Sequence, residues 1–146
     1  MKLCIVSSCG GHLSELRALS AAYDRYPHFY VLDDRITLPK DMEGRTFFVT
    51  HAERTWRLLV NLWEAWVILR RERPDLMLST GAGVAVPFGL IGKLLRIPFV
   101  FIEISTRVRR PSLSGRVMYR LATRFFYQWP DLGRSFPNAT FGGLIL

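Results

Sequence analysis

The feature that most limits the fold of this chain is a pair of glycines between an apolar segment and a helical pattern. Lys2 to Val6 is apolar enough for a buried strand, and Leu13 to Tyr23 places leucines at helical spacing. Gly10 and Gly11 between them allow a sharp turn and a close approach of a ligand to the backbone. The amino end of the next helix favours an anion such as phosphate, and His12 adds a group that titrates near neutral pH.

The order of strand, glycine turn and helix occurs a second time in the middle of the chain. A short strand over Leu76 to Leu78 leads to Thr80, Gly81 and Gly83, and these open a helix from Val84 to Leu95. Either turn would also serve a purely steric purpose, because the chain has neither a dinucleotide fingerprint nor a phosphate loop.

The remaining elements complete an alternating pattern. Further strands are predicted at 28–32, 45–50, 98–104 and 125–128, and further helices at 54–72 and from Ser112 or Ser114 to about 123. This alternation predicts an α/β fold, a single Rossmann-like domain over 1–146 with a mainly parallel sheet. Ligands of such sheets bind at the carboxyl ends of the strands, so both turns and Glu103 are expected at one cleft.

Composition narrows the kind of partner. The formal net charge is +8 and 49% of the 146 residues are hydrophobic, which suits a packed protein that meets nucleic acid, anionic lipid or a phosphorylated substrate. Nucleic acid is not expected, because no recognition motif is present and the arginines are not interleaved with aromatic residues. The two cysteines form no metal motif, and neither a metal nor a cofactor of its own is expected.

Arginines cluster in the last third of the chain. Arg116, Arg120 and Arg124 are spaced to stripe one side of the last predicted helix, and Arg107 lies just before it. Arginine forks suit phosphate or anionic lipid headgroups, although a solvated basic face would have the same spacing.

Two apolar segments have more than one interpretation. The helix at 54–72 carries three tryptophans; we expect most of its apolar residues in the core, with an exposed edge against a membrane or partner as the alternative. No signal peptide or membrane-spanning segment is predicted. The apolar residues of the tail are expected to dock on a partner: Phe141, Leu144, Ile145 and Leu146.

Several motifs, taken in order, resemble the Alg14 family, which includes bacterial exopolysaccharide and capsule proteins often called PssD-like. The chain is also similar to the amino-terminal half of MurG-type transferases. The motifs are Ser8-Cys9-Gly10-Gly11-His12, Pro74-Asp75, Ser79-Thr80-Gly81-Ala82-Gly83, Phe101-Ile102-Glu103-Ile104-Ser105, Leu113-Ser114-Gly115 and Gln128-Trp129-Pro130-Asp131-Leu132.

The resemblance implies one subunit of a split, UDP-sugar-dependent glycosyltransferase, equivalent to the amino-terminal acceptor half of a GT-B enzyme and inactive alone. A separate Alg13-like subunit would bind the UDP-sugar. This chain would offer the site for a lipid-diphosphate-sugar acceptor and recruit the partner to the cytoplasmic face of the membrane. Eukaryotic members carry an amino-terminal anchor, whereas this chain begins at its first strand, so peripheral attachment is expected.

Sugar transfer needs a base for the acceptor hydroxyl, and His12 or Glu103 would suit that role. A non-catalytic scaffold that only recruits the partner is the alternative. The residues expected to bind the acceptor or its phosphates are Gly10, Gly11, Thr80, Gly81, Gly83, Arg107, Arg116 and Arg120.

Overall fold

The computed structural model describes residues 1–35, 40–51 and 56–145, and within them seven strands form one sheet. The strands are β1 Leu3–Ser7, β2 His28–Asp33, β3 Thr46–Val49, β4 Leu76–Ser79, β5 Phe99–Ile102, β6 Arg124–Tyr127 and β7 Thr140–Phe141. Their order is β3-β2-β1-β4-β5-β6-β7, and every neighbouring pair is parallel. The predicted α/β fold with a Rossmann-like sheet is confirmed.

Helices cover both sides of this sheet. They are α1 Gly11–Ala18, α2 Ser20–Tyr23, α3 Arg57–Glu72, α4 Ala85–Leu94 and α5 Leu113–Leu121. Alternate side chains of β1 enter different cores: Cys4 and Val6 pack with α3, α4 and α5, whereas Leu3 and Ile5 pack with α1 and α2. Because α4 contacts both α3 and α5, it lies in the middle of its layer.

The first helix is shorter than the sequence predicts. Instead of one helix from Leu13 to Tyr23, two short helices form, because the first ends before Leu19. The N–H of Leu19 contacts the carbonyls of both Glu15 and Leu16. Such a tightened turn ends a regular helix. The Tyr23 hydroxyl then donates to the Leu16 carbonyl at 3.0 Å, so the second piece folds back on the first.

The predicted stripe of three arginines is wrong. Helix α5 ends at Leu121, because Thr123 already pairs with Phe99 of β5 through both its N–H and its hydroxyl. Arg124 therefore begins β6, and only Arg116 and Arg120 remain on the helix, both exposed.

The expectation that most apolar residues of α3 lie in the core is also wrong. The buried residues of α3 are Asn61, Ala65, Ile68 and Leu69. Trp56, just before the helix, and Trp63 are 73% and 67% exposed, and Leu59 and Val67 are exposed beside them. The helix lies at the edge of its layer, so only a narrow side of it meets α4 and the sheet. Residues 54 and 55 of the predicted helix lie outside the described residues.

The sequence did not predict β7, which pairs with β6 and adds an edge to the sheet. Within the described parts of the chain, we find no helix with the length and apolar character needed to cross a membrane.

Candidate functional site

A cleft of about 910 Å³ lies at the carboxyl ends of the strands. Its floor carries polar side chains from the end of β2 and from the segments that follow β1, β3 and β5. The apolar wall comes from the first two turns of α3, α4 and α5 and comprises Leu58, Val86, Leu113 and Val117.

His12 lines this cleft and is held by the second glycine turn. Its Nδ1 lies 3.0 Å from the carbonyl oxygen of Thr80, and the Thr80 hydroxyl donates to the His12 carbonyl at 2.8 Å. Since a carbonyl only accepts hydrogen bonds, Nδ1 carries the proton and Nε2 is the acceptor. Burial lowers the pKa of His12 despite the bond to Thr80, so the ring is neutral near pH 7 and able to take a proton.

The two glycine turns meet as expected, but their residues divide between two tasks. Thr80 and Gly81 are buried beneath His12 and do not line the cleft. A Cβ on Gly81 would come within 3.1 Å of the His12 ring, and its φ of +120° also favours glycine there. Both residues therefore hold His12 in place and do not face a ligand.

The other three predicted glycines are exposed, and of these only Gly83 is among the residues that line the cleft. Gly10 and Gly11 are exposed at the start of α1, and no described side chain caps that helix. Free amides at a helix start suit an anion, and a phosphate role for these three glycines stays a prediction.

Glu103 does not lie in the cleft. Its side chain is fully buried behind α5, where Oε1 accepts from the Ser112 N–H at 3.2 Å and the carboxyl packs against Gly115. Oε2 has no hydrogen-bond partner in the described structure, and burial raises the pKa of this carboxyl. The expected convergence of both turns and Glu103 on one cleft holds for the turns alone, because α5 covers the glutamate.

Of the three arginines predicted to bind the acceptor, only Arg107 lines the cleft. It follows β5 and stands near the amino end of α5, where Ser112 Oγ caps the helix by accepting from the Gly115 N–H at 2.8 Å. Arg116 and Arg120 lie on the outer face of α5 and do not line the cleft.

Two cleft residues were missed by the sequence analysis. Asp33 ends β2, His51 follows β3, and Asp33 Oδ2 lies 3.2 Å from His51 Nδ1. Both line the cleft with His12. Asp33 was visible as a polar residue at the end of a predicted strand, but its pairing with His51 depends on the register of β2 with β3.

A third buried carboxylate, Glu15, supports the loop after β5. Its Oε1 accepts from the Ser105 N–H at 2.8 Å and its Oε2 from Gln128 Nε2 at 3.2 Å. Gln128 Oε1 in turn accepts from the Ile145 N–H at 3.0 Å, so the tail is bonded to the same network.

The predicted docking tail is partly on the surface. Phe141 and Leu144 are 51% and 53% exposed, whereas Ile145 is half-buried. Leu146 lies outside the described residues. Partner docking through this tail stays a prediction.

The chain is similar in sequence to known proteins. The sequence model for the family "Oligosaccharide biosynthesis protein Alg14 like" matches residues 42–145. The "UDP-N-acetylglucosamine transferase subunit ALG14" of Rattus norvegicus is 27% identical over an alignment of 184 positions, gaps included. The alignment covers 99% of this chain and 82% of the rat protein.

Bacterial transferases match a smaller part. The "UDP-N-acetylglucosamine--N-acetylmuramyl-(pentapeptide) pyrophosphoryl-undecaprenol N-acetylglucosamine transferase" of Nitrosospira multiformis is 35% identical over 95 residues, 62% of this chain and 26% of that protein.

Solved structures share the fold. MurG of Acinetobacter baumannii matches with a TM-score of 0.79 at 18% identity, over 97% of this chain and 44% of MurG. The UDP-GlcNAc 2-epimerase of Methanocaldococcus jannaschii matches with a TM-score of 0.74 at 14% identity, over 94% of this chain and 42% of the epimerase. The chain thus spans less than half of either structure, and its fold is that of the amino-terminal half of a GT-B protein.

Proposed function

This chain belongs to the Alg14 family, and we propose that it is the acceptor-binding subunit of a split, UDP-sugar-dependent glycosyltransferase. The observation that carries the proposal is His12, which is neutral, held by Thr80 and placed in a large cleft at the strand ends. The rat relative is named as a UDP-N-acetylglucosamine transferase subunit, which supports the same kind of reaction.

The acceptor that fits this cleft is a sugar joined by a diphosphate to a lipid. The polar floor suits a sugar, Arg107 beside the start of α5 suits a diphosphate, and the apolar wall suits the first part of a lipid chain. The Nitrosospira relative is named for an acceptor of this class, a pyrophosphoryl-undecaprenol that carries a sugar. That name supports the chemical class of the acceptor and leaves its sugar unspecified.

His12 acts as the base in this proposal. Its Nε2 takes the proton of the acceptor hydroxyl while the hydroxyl oxygen bonds to the anomeric carbon of the donor sugar. The bond between that carbon and the UDP oxygen breaks, and UDP leaves with the electron pair. Glu103 has no direct part in this step, because α5 separates its carboxyl from the cleft.

A partner supplies the donor, and we place an Alg13-like subunit in that role. Exposed apolar side chains gain free energy when they are covered, and Phe141 and Leu144 offer such a surface at the sheet edge. Replacing both by Gln should weaken co-purification with the partner with only a small fall in melting temperature, because both side chains are about half exposed and Phe141 contacts the Tyr127 ring. Equal co-purification would place the docking surface elsewhere.

Attachment to the cytoplasmic face of the membrane is peripheral in this proposal and uses the exposed face of α3. This α3 face comprises Trp56, Leu59, Trp63 and Val67. Exposed cations accompany it, since Arg57, Arg70 and Arg71 lie on the same helix and the Arg70 guanidinium lies 5.3 Å from the Trp66 ring. Aromatic rings beside cations suit an anionic lipid surface. The same helix contributes to the apolar wall of the cleft, so a lipid-borne acceptor has a short path into it.

The test is sugar transfer by this chain co-purified with its donor-binding partner, from radiolabelled UDP-N-acetylglucosamine to a polyprenyl pyrophosphoryl sugar. His12→Gln should lower turnover about 10²-fold, the usual contribution of a general base. Its matched control is Ser14→Ala, an exposed change in the same turn of α1 that should leave turnover unchanged.

The outcomes separate the possible roles of the chain. Transfer by the chain alone would contradict the split-enzyme proposal. Full turnover by His12→Gln in an active complex would remove the base from this subunit and favour a recruiting scaffold. Loss of turnover with an unchanged melting temperature supports the proposal.

A further inference from the structure

The cleft holds a second, independent group of polar residues that the proposed step does not use. Asp33 and His51 lie at the carboxyl ends of β2 and β3, on the opposite side of His12 from Arg107 and α5. Asp33 is 3% exposed, and its two oxygens meet His51 Nδ1 at 3.2 Å and the Cys9 N–H at 3.4 Å. The carboxylate therefore joins His51 to the glycine turn that carries His12.

The short segment that carries His51 is held from two sides. From α3, Glu64 accepts from both the N–H and the hydroxyl of Thr50, and Asn61 Nδ2 donates to the Thr50 carbonyl at 2.7 Å. From the turn after β2, Asp34 Oδ1 accepts from the His51 N–H at 3.2 Å.

Burying polar groups is costly unless they are paired, and here Asn61 is 1% exposed. These polar contacts converge on Thr50 and His51, the two residues that follow β3. Their common effect is to fix the position of the His51 ring, which is the kind of preorganisation that a binding site needs.

The chemistry of this pair selects its ligand. Asp33 Oδ2 lies 3.2 Å from His51 Nδ1, so a carboxylate and an imidazole stand side by side at this end of the cleft. Both kinds of group hydrogen-bond to sugar hydroxyls, whereas a carboxylate repels phosphate.

Charge differs between the two ends of the cleft. Arg107 and the start of α5 lie at one end and Asp33 at the other, and the two charged groups shift the pKa of His12 in opposite directions. His12 is thus within electrostatic reach of both. A ligand with an anionic part and a hydroxyl-rich part has one favoured orientation in such a field.

We propose that Asp33 and His51 bind the sugar of the acceptor, so that its hydroxyls lie over β2 and β3 while its diphosphate lies toward Arg107 and the start of α5. The proposal rests on the proposed function in taking the acceptor to be a lipid diphosphate that carries a sugar. It makes Asp33 and His51 the residues that decide which acceptor sugar is accepted.

The experiment measures binding to the full chain of three soluble probes: farnesyl pyrophosphate, farnesyl pyrophosphoryl-N-acetylglucosamine and farnesyl pyrophosphoryl-glucose. Wild-type protein should bind at least one sugar-bearing probe more tightly than farnesyl pyrophosphate. Asp33→Asn and His51→Gln should each weaken that probe about tenfold, since each removes a hydrogen bond to the sugar, and should leave farnesyl pyrophosphate within twofold. Arg107→Gln should weaken all three probes by a similar factor.

Asp131→Asn removes an exposed carboxylate that is distant in the sequence from Asp33, and it is the matched control for the loss of a carboxylate. If Asp33→Asn fails to fold, His51→Gln carries the test, because its side chain is 20% exposed. Equal weakening of farnesyl pyrophosphate and the sugar probes, or no weakening of any, would overturn the proposal while the acceptor cleft stands. Failure of the wild-type chain to bind any of the three probes would overturn the proposed function itself.

Discussion

Helices α3 and α5 flank α4 in one layer, and both expose arginines, but their exposed apolar surfaces differ. The α3 face carries two tryptophans beside Leu59 and Val67, whereas α5 exposes only the aliphatic Leu113 and Val117 beside Arg116 and Arg120. A carboxyl group lies on the inner side of each helix. Glu64, a residue of α3, is bonded to Thr50 and Asn61, whereas Glu103, beneath α5, has one oxygen without a partner in the described structure.

The two helices therefore contribute differently to the cleft. On the inner side of α3, Asn61 and Glu64 are bonded to Thr50 and so fix the segment that carries His51, whereas we propose that its outer side meets a lipid surface. The inner side of α5 is close-packed, because its Gly115 lies against the Glu103 carboxyl, and its outer arginines are exposed to solvent. Four predictions test this contrast.

The largest effect is expected on the α3 face. Trp56→Gln combined with Trp63→Gln should weaken association with vesicles of mixed neutral and anionic lipid about 10²-fold, because each ring buries a large apolar surface in the interface. Added salt should change this loss little. Cosedimentation with vesicles measures it, and Val108→Gln, another exposed apolar change, is the control.

Unchanged vesicle binding by the double tryptophan variant would show that the α3 face does not attach the chain to the membrane. A lowered melting temperature would instead show that the two rings contribute to folding.

The second prediction concerns the packing beneath α5. Gly115→Ala should lower the free energy of unfolding by about 2–3 kcal/mol, because the new Cβ would overlap Glu103 Oε2. Chemical denaturation measures the loss. Gly142→Ala is the matched control, since its Cβ would meet Phe126 at an ordinary 3.7 Å. A neutral Gly115→Ala would mean that the carboxyl of Glu103 does not occupy this place.

Local sequence patterns predicted much of this fold. The two glycine turns placed His12 and Gly83 at the same edge of the sheet, because apolar strands and helical periods are encoded by neighbouring residues. The parallel order followed from the alternation of strands and helices, and the structure confirms it. The pairing of Asp33 with His51 was out of reach, because it needs the register of two strands joined by a long connection.

Helical spacing also leaves the direction of a helix face undetermined. The tryptophans of α3 follow a helical period, and that period is the same whether the apolar side meets a core or a membrane. Burial of Glu103 was equally hidden, because it depends on α5 folding back over the end of β5. The missed features are therefore those decided by contacts between distant segments.

The third prediction uses pH to test the carboxyl beneath α5. Burial raises the pKa of Glu103 in the folded protein above its ordinary value of 4.5, so folding favours the neutral acid. The stability from this group is present below about pH 4.5 and is lost as pH rises through the folded pKa. Glu103→Gln removes the titration, so its free energy of unfolding minus that of the wild type should increase from pH 4.5 to pH 8.

Urea denaturation at several pH values measures this difference, with Glu43→Gln, an exposed glutamate, as the control. A difference that stays constant with pH would mean that Glu103 titrates normally.

The smallest effect is expected for the outer arginines of α5. Arg116→Gln combined with Arg120→Gln should weaken association with anionic vesicles about thirtyfold at most at low salt, because each exposed arginine near such a surface contributes about 1 kcal/mol. In about 1 M salt the Debye length falls to about 3 Å, so the difference from wild type should vanish. The loss at the α3 face should persist under the same conditions, and this contrast separates apolar from electrostatic attachment.

A loss larger than that of the tryptophan variant would make α5 the main membrane contact. A loss of farnesyl pyrophosphate binding without any change in vesicle binding would instead assign the two arginines to the diphosphate of the acceptor.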